Sequence, residues 1–176
     1  MMATGVRVGE ALATYWEDVD LVTGTVDITH TVVRIKGKGL LRKPRPKSES
    51  SKRALPLPSW AVELLTKRAA ATGPVFPSTT GGMRDPNNVL RVIREIRGGE
   101  DFLWVTSHTF RKTTATALDD AGVPTRLIAD QLGHSRVSMT QDNYLERKTV
   151  DPATAKALEG LLDKPSDPKT GDKPGR

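Results

Sequence analysis

Residues 107–144 read SHTFRKTTATALDDAGVPTRLIADQLGHSRVSMTQDNY, and they decide how this sequence is interpreted. Two of the chain's three histidines, His108 and His134, lie here, together with Tyr144, one of its two tyrosines. Apolar residues at helical spacing predict a helix over about 109–121 and another over 124–133, which ends at a glycine suited to a left-handed cap. A hydrophobic core does not require histidines and a tyrosine in this arrangement, so their chemistry needs another explanation.

The surrounding segments predict a mainly helical α+β protein. Alternating apolar residues predict a strand over 24–36, and residues 53–57 read as the returning strand, with a loop or ragged hairpin between them. Further helices are predicted over 5–21, 59–72, 85–96 and 151–162, and the capping box SMTQ (138–141) predicts a short helix that carries Tyr144. The expected fold therefore has a small antiparallel β-sheet or hairpin at one edge.

Two helix faces are predicted to point inward, and one segment is predicted to have no fold. The first face comprises Trp60, Leu64 and Leu65, and the second comprises Leu90, Ile93 and Ile96, because these residues recur at helical spacing. The tail 163–176 contains Pro, Gly and charged residues with little else, so we expect it to be disordered.

Composition favours one basic domain inside a cell. The chain has 176 residues and 27 Lys+Arg against 21 Asp+Glu, which gives a net charge of +6. This excess indicates a polyanionic partner, although a merely soluble basic protein is the alternative. The absence of cysteine excludes disulfides, thiolate metal sites and a cysteine nucleophile. No apolar run approaches the roughly 20 residues of a membrane span, and the start lacks a secretion signal, so we expect a cytoplasmic protein.

Positive charge is concentrated between residues 34 and 53. Nine cations lie there against one acid, Glu49, and such density would attract a DNA phosphate backbone. A solvated hairpin that only keeps the protein soluble is an equally good interpretation of the charge alone. The nine are Arg34, Lys36, Lys38, Arg42, Lys43, Arg45, Lys47, Lys52 and Arg53.

The histidines, two arginines and the tyrosine together suggest phosphoryl transfer. His108 and Arg111 lie three residues apart in a first helical turn, where backbone N–H groups favour an anion. Each residue is weak support by itself, since an H-x-x-R pattern is common, and a lone tyrosine usually packs in a core. A tyrosine hydroxyl becomes a nucleophile on phosphorus when cations cancel the developing charge. Arg7 would be the second guanidinium, and Lys47 could protonate the departing sugar oxygen.

These residues occur in motifs that resemble the catalytic domain of the tyrosine recombinases, the phage integrase family. The stretch TGVRVGEALATYWEDVDL resembles the first arginine box, which places the catalytic arginine at Arg7. PKSESSKRALPLP is similar to the lysine hairpin and points to Lys47, although Lys43 and Lys52 lie nearby. SHTFRKTTAT is like the H-x-x-R box and gives His108 and Arg111. The next two boxes are LGHS, which gives His134, and MTQDNY, which ends in Tyr144.

The resemblance implies an activity and a set of partners. Tyr144 would attack a DNA phosphate and form a 3′-phosphotyrosyl link, Arg7 and Arg111 would clamp the phosphate oxygens, and Lys47 would be the general acid. His108 and His134 would contact the phosphate or handle protons, without metal, ATP or another cofactor. Double-stranded DNA would be the partner, with the other residues of the basic segment as contacts. Recombinase subunits would form a tetramer on DNA through helix 151–162, with a monomer in its absence.

Departures from the family pattern leave alternatives open. The helix before the first arginine box and the core-binding domain are missing, so residues 1–162 are expected to be a catalytic domain cut from a longer protein. Lys112 stands where the family commonly has histidine. One alternative is a truncated DNA-binding module without useful catalysis. Another is relaxation of supercoils, as in the related type IB topoisomerases.

Overall fold

Five α-helices and five β-strands make up the part of the chain that the computed structural model describes, residues 1–44, 53–134 and 140. All of these residues belong to one unit, which spans Met1–Leu145. The helices are α1 (Val8–Ala13), α2 (Ser59–Thr66), α3 (Pro86–Ile96), α4 (Ser107–Asp120) and α5 (Thr125–Leu132). The strands are β1 (Val19–Asp20), β2 (Thr25–Ile28), β3 (His30–Ile35), β4 (Gly39–Pro44) and β5 (Arg53–Pro56). The α+β, mainly helical class is confirmed.

The strands form two antiparallel sheets instead of one. A three-stranded sheet has the order β1-β2-β5, and β3 pairs with β4 in a separate hairpin. The prediction of one continuous strand over 24–36 is therefore wrong, because the chain changes sheet at Thr29. There the Thr29 hydroxyl donates to Asp18 Oδ1 (3.3 Å) and lies 2.7 Å from Nδ1 of His30. The predicted return of β5 is confirmed, since Val26 faces Leu55 in the register.

The basic segment forms a regular hairpin as far as Pro44. The Lys38 amide donates to the Ile35 carbonyl (3.1 Å) and closes the turn between β3 and β4. Val32 of β3 is buried, whereas most of β4 is exposed. The predicted hairpin is thus confirmed as a structure over residues 30–44, whereas its role, as a DNA contact or only in solubility, stays a prediction. Residues 45–52, which include Lys47, lie outside the described residues.

Helix α1 is shorter than the predicted helix over 5–21. It ends at Ala13 because Thr14 takes an extended conformation, with its hydroxyl donating to the Glu10 carbonyl (3.2 Å). A single 3₁₀ turn, Trp16–Asp18, follows, and the Trp16 side chain is still buried. Helix α1 lies across β3, where Leu12, Ala13 and Val32 form one cluster of the core.

The first face predicted to point inward is only partly buried. In α2, Ala61 is buried, but Trp60 and Leu64 are 49% and 55% exposed. These two side chains line an open groove beside Val6 and Val26 and do not fill a closed core. Their direction agrees with the prediction, whereas their burial does not. The helix also ends at Thr66, earlier than residue 72.

Helix α3 begins as predicted and diverges at its far end. Asp85 caps it by accepting from the Asn87 amide (2.9 Å), and Pro86 is its first residue. Ile96, however, is 75% exposed, so the predicted apolar stripe is not buried along its full length.

Helices α4 and α5 pack together and carry the stretch from which the interpretation started. Ala115 of α4 packs against Ile128 and Leu132 of α5, and all three side chains are buried. Gly133 ends α5 with a φ of 65°, the left-handed cap that was predicted. The pairing of these helices brings Arg111 next to His134. The predicted helices that carry Tyr144 and residues 151–162, and the tail 163–176, lie outside the described residues.

Candidate active site

Arg7 lies at the start of α1 and reaches solvent. It is the N-cap residue of the helix, and its side chain is 42% exposed. Its Nη1 donates to Glu10 Oε1 (3.2 Å), and its backbone amide donates to Glu10 Oε2 (3.1 Å). The Glu10 carboxylate therefore grips Arg7 at both the main chain and the side chain, which fixes the direction of the guanidinium.

Glu10 is one of the residues of this site that the sequence reasoning missed. Its side chain is only 2% exposed, and it also forms an ion pair with Arg53 (3.1 Å). A buried carboxylate requires such partners, because an isolated charge is costly to remove from water. An acid three residues after a helix-starting arginine was the available indication. The sequence could not show that Arg53, far along the chain, shares it.

Arg111 is a buried residue that connects the segment before α1 to the end of α5. It projects from α4, is 1% exposed, and donates from Nη1 to the Gly5 carbonyl (2.6 Å). Its Nη2 donates to the Leu132 carbonyl (2.6 Å) and to Nε2 of His134 (2.8 Å). The guanidinium thus ties the segment before Arg7 to the end of α5, and its charge lies within hydrogen-bond distance of the His134 ring.

His134 is a buried imidazole with a defined tautomer. Because a guanidinium only donates, Nε2 accepts from Arg111, and Nδ1 of the neutral ring then donates to the Thr140 hydroxyl (2.8 Å). Burial, followed by the charge of Arg111 and other cations, lowers the pKa of His134 from 6.5 to about 4. At neutral pH the ring is therefore uncharged. Thr140 was not recognised as a partner from the sequence.

His108 occupies the first turn of α4 and lines a cavity together with Arg7 and His134. Burial, and then the charges of Arg111 and Arg7, lower the pKa of His108. A cavity of about 880 Å³ is lined by Arg7, His108, His134 and Lys112, among others. Lys112, the departure from the family pattern, therefore adds a cation to the cavity wall.

The structure places four of the six predicted catalytic residues together. Arg7, His108 and His134 line the cavity, and Arg111 bonds to His134 from the interior. The remaining two, Lys47 and Tyr144, lie outside the described residues.

The three described arginines of the basic segment each pair with an acid of the fold, whereas its described lysines are exposed. Arg34 forms an ion pair with Asp85 (2.6 Å), and Arg42 pairs with Asp18 while stacking 4.2 Å from the centre of the Tyr15 ring. Arg53 is 8% exposed. The exposed lysines are Lys36, Lys38 and Lys43, and Arg34 is also 53% exposed although it is paired. Arg45 and Lys52 lie outside the described residues.

The described parts of the chain contain neither a group of metal ligands nor a membrane-spanning helix. Within residues 1–44, 53–134 and 140, no group of three or more histidine, aspartate or glutamate side chains is arranged to hold a metal ion. None of the helices in the same residues has the length and apolar character needed to cross a membrane.

Solved structures that share this fold include an integrase and a recombinase. The Tn1549 transposon integrase, in complex with circular intermediate DNA, matches with a TM-score of 0.72 and 24% identity, covering 91% of this chain and 57% of that one. The XerA recombinase matches with a TM-score of 0.60 and 23% identity, covering 93% and 55%. At these identities the likeness shows the fold, and the predicted tyrosine recombinase catalytic-domain fold is confirmed.

The chain belongs to the phage integrase family, whose model matches residues 1–149. A tyrosine recombinase XerC-like protein of Caldanaerobacter subterraneus subsp. tengcongensis is 27% identical over 184 residues, 91% of this chain and 46% of the relative. The tyrosine recombinase XerC of Corynebacterium efficiens is 32% identical over 143 residues, 80% of this chain and 42% of the relative. The chain thus spans less than half the length of these curated relatives.

Proposed function

We propose that this chain is the catalytic domain of a site-specific DNA recombinase, which cuts and rejoins DNA through a covalent bond to Tyr144. The observation that carries the proposal is the meeting of Arg7, His108 and His134 at one cavity, with the Arg111 guanidinium bonded to His134. Cations and hydrogen-bond donors held in fixed positions stabilise charge that develops on a phosphoryl group. The family membership supports the same chemistry.

The reaction balances without a metal or a nucleotide cofactor. The Tyr144 oxygen attacks the scissile phosphorus, the bond from phosphorus to the 5′ oxygen breaks, and Lys47 gives that oxygen its proton. The product is a 3′-phosphotyrosyl ester and a free 5′-hydroxyl. A 5′-hydroxyl from a second DNA strand then attacks the ester, releases Tyr144 and reseals the backbone. Because the ester retains the energy of the broken bond, no ATP is needed.

The positions of the four described residues support different contributions. Arg7, whose guanidinium is exposed, contacts the phosphate oxygens, and Arg111, which is buried and bonded to His134, adds positive charge behind that imidazole. His134, engaged on both ring nitrogens, orients Arg111. His108 lines the cavity and handles the proton of the attacking hydroxyl, a task that suits an imidazole that is neutral at pH 7.

The partners follow from the same proposal. Double-stranded DNA lies over the cavity, with Lys36, Lys38 and Lys43 near its backbone. Several recombinase subunits assemble on the DNA as a tetramer through helix 151–162, and the chain is a monomer without DNA. The protein acts in the cytoplasm, on nucleoid or phage DNA.

A nicked suicide duplex tests the proposal, because loss of a short strand traps the covalent intermediate. The unsubstituted chain should give a protein–DNA band that survives denaturation, and Tyr144→Phe should give none. The chain has only two tyrosines, so Tyr15→Phe is a matched control and should keep the band. A band of equal strength in Tyr144→Phe would contradict the proposal.

A second candidate is a DNA-binding module without useful catalysis. The observation that favours it is that the Arg111 guanidinium is only 1% exposed and donates to the Gly5 and Leu132 carbonyls of the protein itself. This candidate predicts retarded DNA in a native gel and no covalent band under any substrate design. The same experiment therefore separates the two functions.

A further inference from the structure

Arg53 occupies a position that its place in the basic segment did not predict. The sequence placed it among the DNA contacts, yet its side chain is only 8% exposed. It is the first residue of β5 and directly follows residues 45–52, which contain Lys47. A guanidinium at this depth is positioned to act on the protein and not on a phosphate backbone outside it.

The Arg53 side chain contacts two segments that carry site residues. Its Nη2 donates to Glu10 Oε2 (3.1 Å), the acid that also holds Arg7. Its Nε donates to the Gln131 carbonyl (2.9 Å) at the end of α5, three residues before His134. The planar guanidinium serves both acceptors at once, which a lysine ammonium on a flexible stem does less well.

The fit around this guanidinium is close. A Cβ added at Gly133 would come within 2.8 Å of Arg53 Cζ. Gly133 therefore serves both as the left-handed cap of α5 and as the surface on which Arg53 packs. His134 follows directly, so the packing of Arg53 fixes the start of the segment that carries the imidazole.

Burial of this ion pair is better explained by orientation than by stability. Two charges removed from water seldom stabilise a fold more than apolar side chains of the same volume would. We infer that the pair instead fixes the orientation of Glu10. The buried carboxylate accepts from Arg53 as well as from Arg7, so it holds the Arg7 guanidinium in one direction. The Arg53 side chain thus joins Glu10, which holds Arg7, to the end of α5, which precedes His134.

We propose that Arg53 is a positioning residue, which aligns Arg7 and His134 for cleavage. This inference rests on the proposed function. It differs from the DNA-contact interpretation in a measurable way. A phosphate contact controls affinity and its salt dependence, whereas a positioning residue controls the rate once DNA is bound.

The test measures the rate of covalent adduct formation at saturating suicide duplex, together with DNA affinity between 50 and 200 mM salt. Arg53→Gln should slow adduct formation about 100-fold, the effect of a misplacement of about 1 Å. Its dissociation constant should change less than about 3-fold, and the slope of affinity against salt should not change. Removal of a side chain that binds a phosphate would instead lower that slope by about 1.

Two further variants separate positioning from folding. Arg53→Lys keeps the charge and should recover part of the rate, and both variants are assayed where circular dichroism shows the folded state. Arg91→Gln is the matched control, because Arg91 forms an exposed ion pair with Glu95 on α3, with side chains 60% and 55% exposed. It should leave rate and salt slope unchanged. A rate for Arg53→Gln equal to that of Arg91→Gln would overturn the inference.

A histidine titration by NMR separates failure of this inference from failure of the proposed function. The charge of Arg53 contributes to the lowered pKa of His134, so Arg53→Gln should raise that pKa in the DNA-free chain. If the unsubstituted chain forms no adduct, the proposed function fails. In that event an unchanged His134 pKa in Arg53→Gln would also overturn the positioning role.

Discussion

Two regions of the molecule use positive charge in opposite ways. One is a buried cluster formed by Arg53, Glu10, Arg111 and His134, and the other is the exposed β3–β4 hairpin. In the cluster, guanidinium groups that are 1–8% exposed donate to carbonyls, a carboxylate and an imidazole of the protein itself. In the hairpin, Lys36 and Lys38 are exposed at the turn. The first arrangement aligns side chains for chemistry, and the second presents charge to a polyanion. Residue type separates them better than charge density does.

The two arginines of the β3–β4 hairpin, Arg34 and Arg42, differ from its lysines. Both lie on the strands of the hairpin, but each forms an ion pair with an acid elsewhere in the fold. Arg34 pairs with Asp85, and Arg42 pairs with Asp18. Arg42 also donates from Nε to the Ala13 carbonyl (2.9 Å). These contacts anchor the hairpin to α1 and α3, so we infer that its arginines hold it in place while its lysines face outward.

The largest expected effect comes from the centre of the cluster. Arg111→Ala would leave the Gly5 and Leu132 carbonyls and His134 without a donor in the interior. Because each buried group left unpaired costs about 1–3 kcal/mol, we expect the free energy of unfolding to fall by about 4 kcal/mol. Adduct formation should fall at least about 100-fold with it. Urea denaturation and the suicide duplex measure the two effects.

The matched variant for this test is Arg91→Ala, which removes an exposed guanidinium from α3. Surface ion pairs of this kind contribute at most about 1 kcal/mol. Equal losses of stability in the two variants would show that Arg111 is not the internal link described above.

A smaller effect is expected where the cluster meets the backbone. Gly133→Ala adds a Cβ at a φ of 65° and against the Arg53 guanidinium. Left-handed strain and overpacking together should cost about 3 kcal/mol. Gly37→Ala, at a φ of 77° with no atom within 4 Å of the added Cβ, should cost only the strain, about 1 kcal/mol. Equal unfolding free energies for the two variants would refute close packing at Gly133.

The cluster should also make stability depend on pH. The pKa of His134 is about 4 in the folded protein and about 6.5 when unfolded. Between pH 6.5 and 4, His134 binds a proton in the unfolded chain but stays neutral in the folded one. The contribution of His134 to stability is therefore complete above pH 6.5 and decreases as the pH falls toward 4. We expect a loss of at most roughly 3 kcal/mol over that interval. Urea denaturation at several pH values measures it, and an NMR titration of His134 near 6.5 would contradict it.

The smallest effect belongs to the hairpin. Lys36→Gln and Lys38→Gln should each weaken DNA binding a few-fold and lower the salt slope by about 0.9 for each phosphate that the lysine neutralises. Arg42→Gln should instead reduce stability, since its partners are Asp18 and the Tyr15 ring. Fluorescence anisotropy over a range of salt concentrations distinguishes these outcomes. A salt slope lowered by Arg42→Gln but not by the lysine variants would reverse the comparison.

Local patterns predicted much of this fold because local rules form it. The periodicity of α4 and α5, the cap at Gly133 and the Asp85–Pro86 start of α3 all depend on residues close in sequence. The motifs likewise gave Arg7, His108, Arg111 and His134, which the structure brings together.

Contacts between distant segments were beyond the sequence. The break at Thr29 depends on Asp18, and the burial of Arg53 depends on Glu10 and the end of α5. Trp60 and Leu64 were predicted to point inward because they recur at helical spacing. Periodicity gives the direction of a side chain but not how completely other segments cover it. A run of cations has the same limit, since its sequence does not reveal which charges find acids within the fold.

Mapping the covalent adduct tests the central claim most directly. Digestion of the trapped complex by trypsin should leave the nucleotide on the peptide of residues 137–147, which contains Tyr144 and no other tyrosine. The account predicts that mass spectrometry finds the phosphodiester there, and that Arg111→Ala removes it. An adduct on the peptide that contains Tyr15, or on a serine or histidine, would contradict the account.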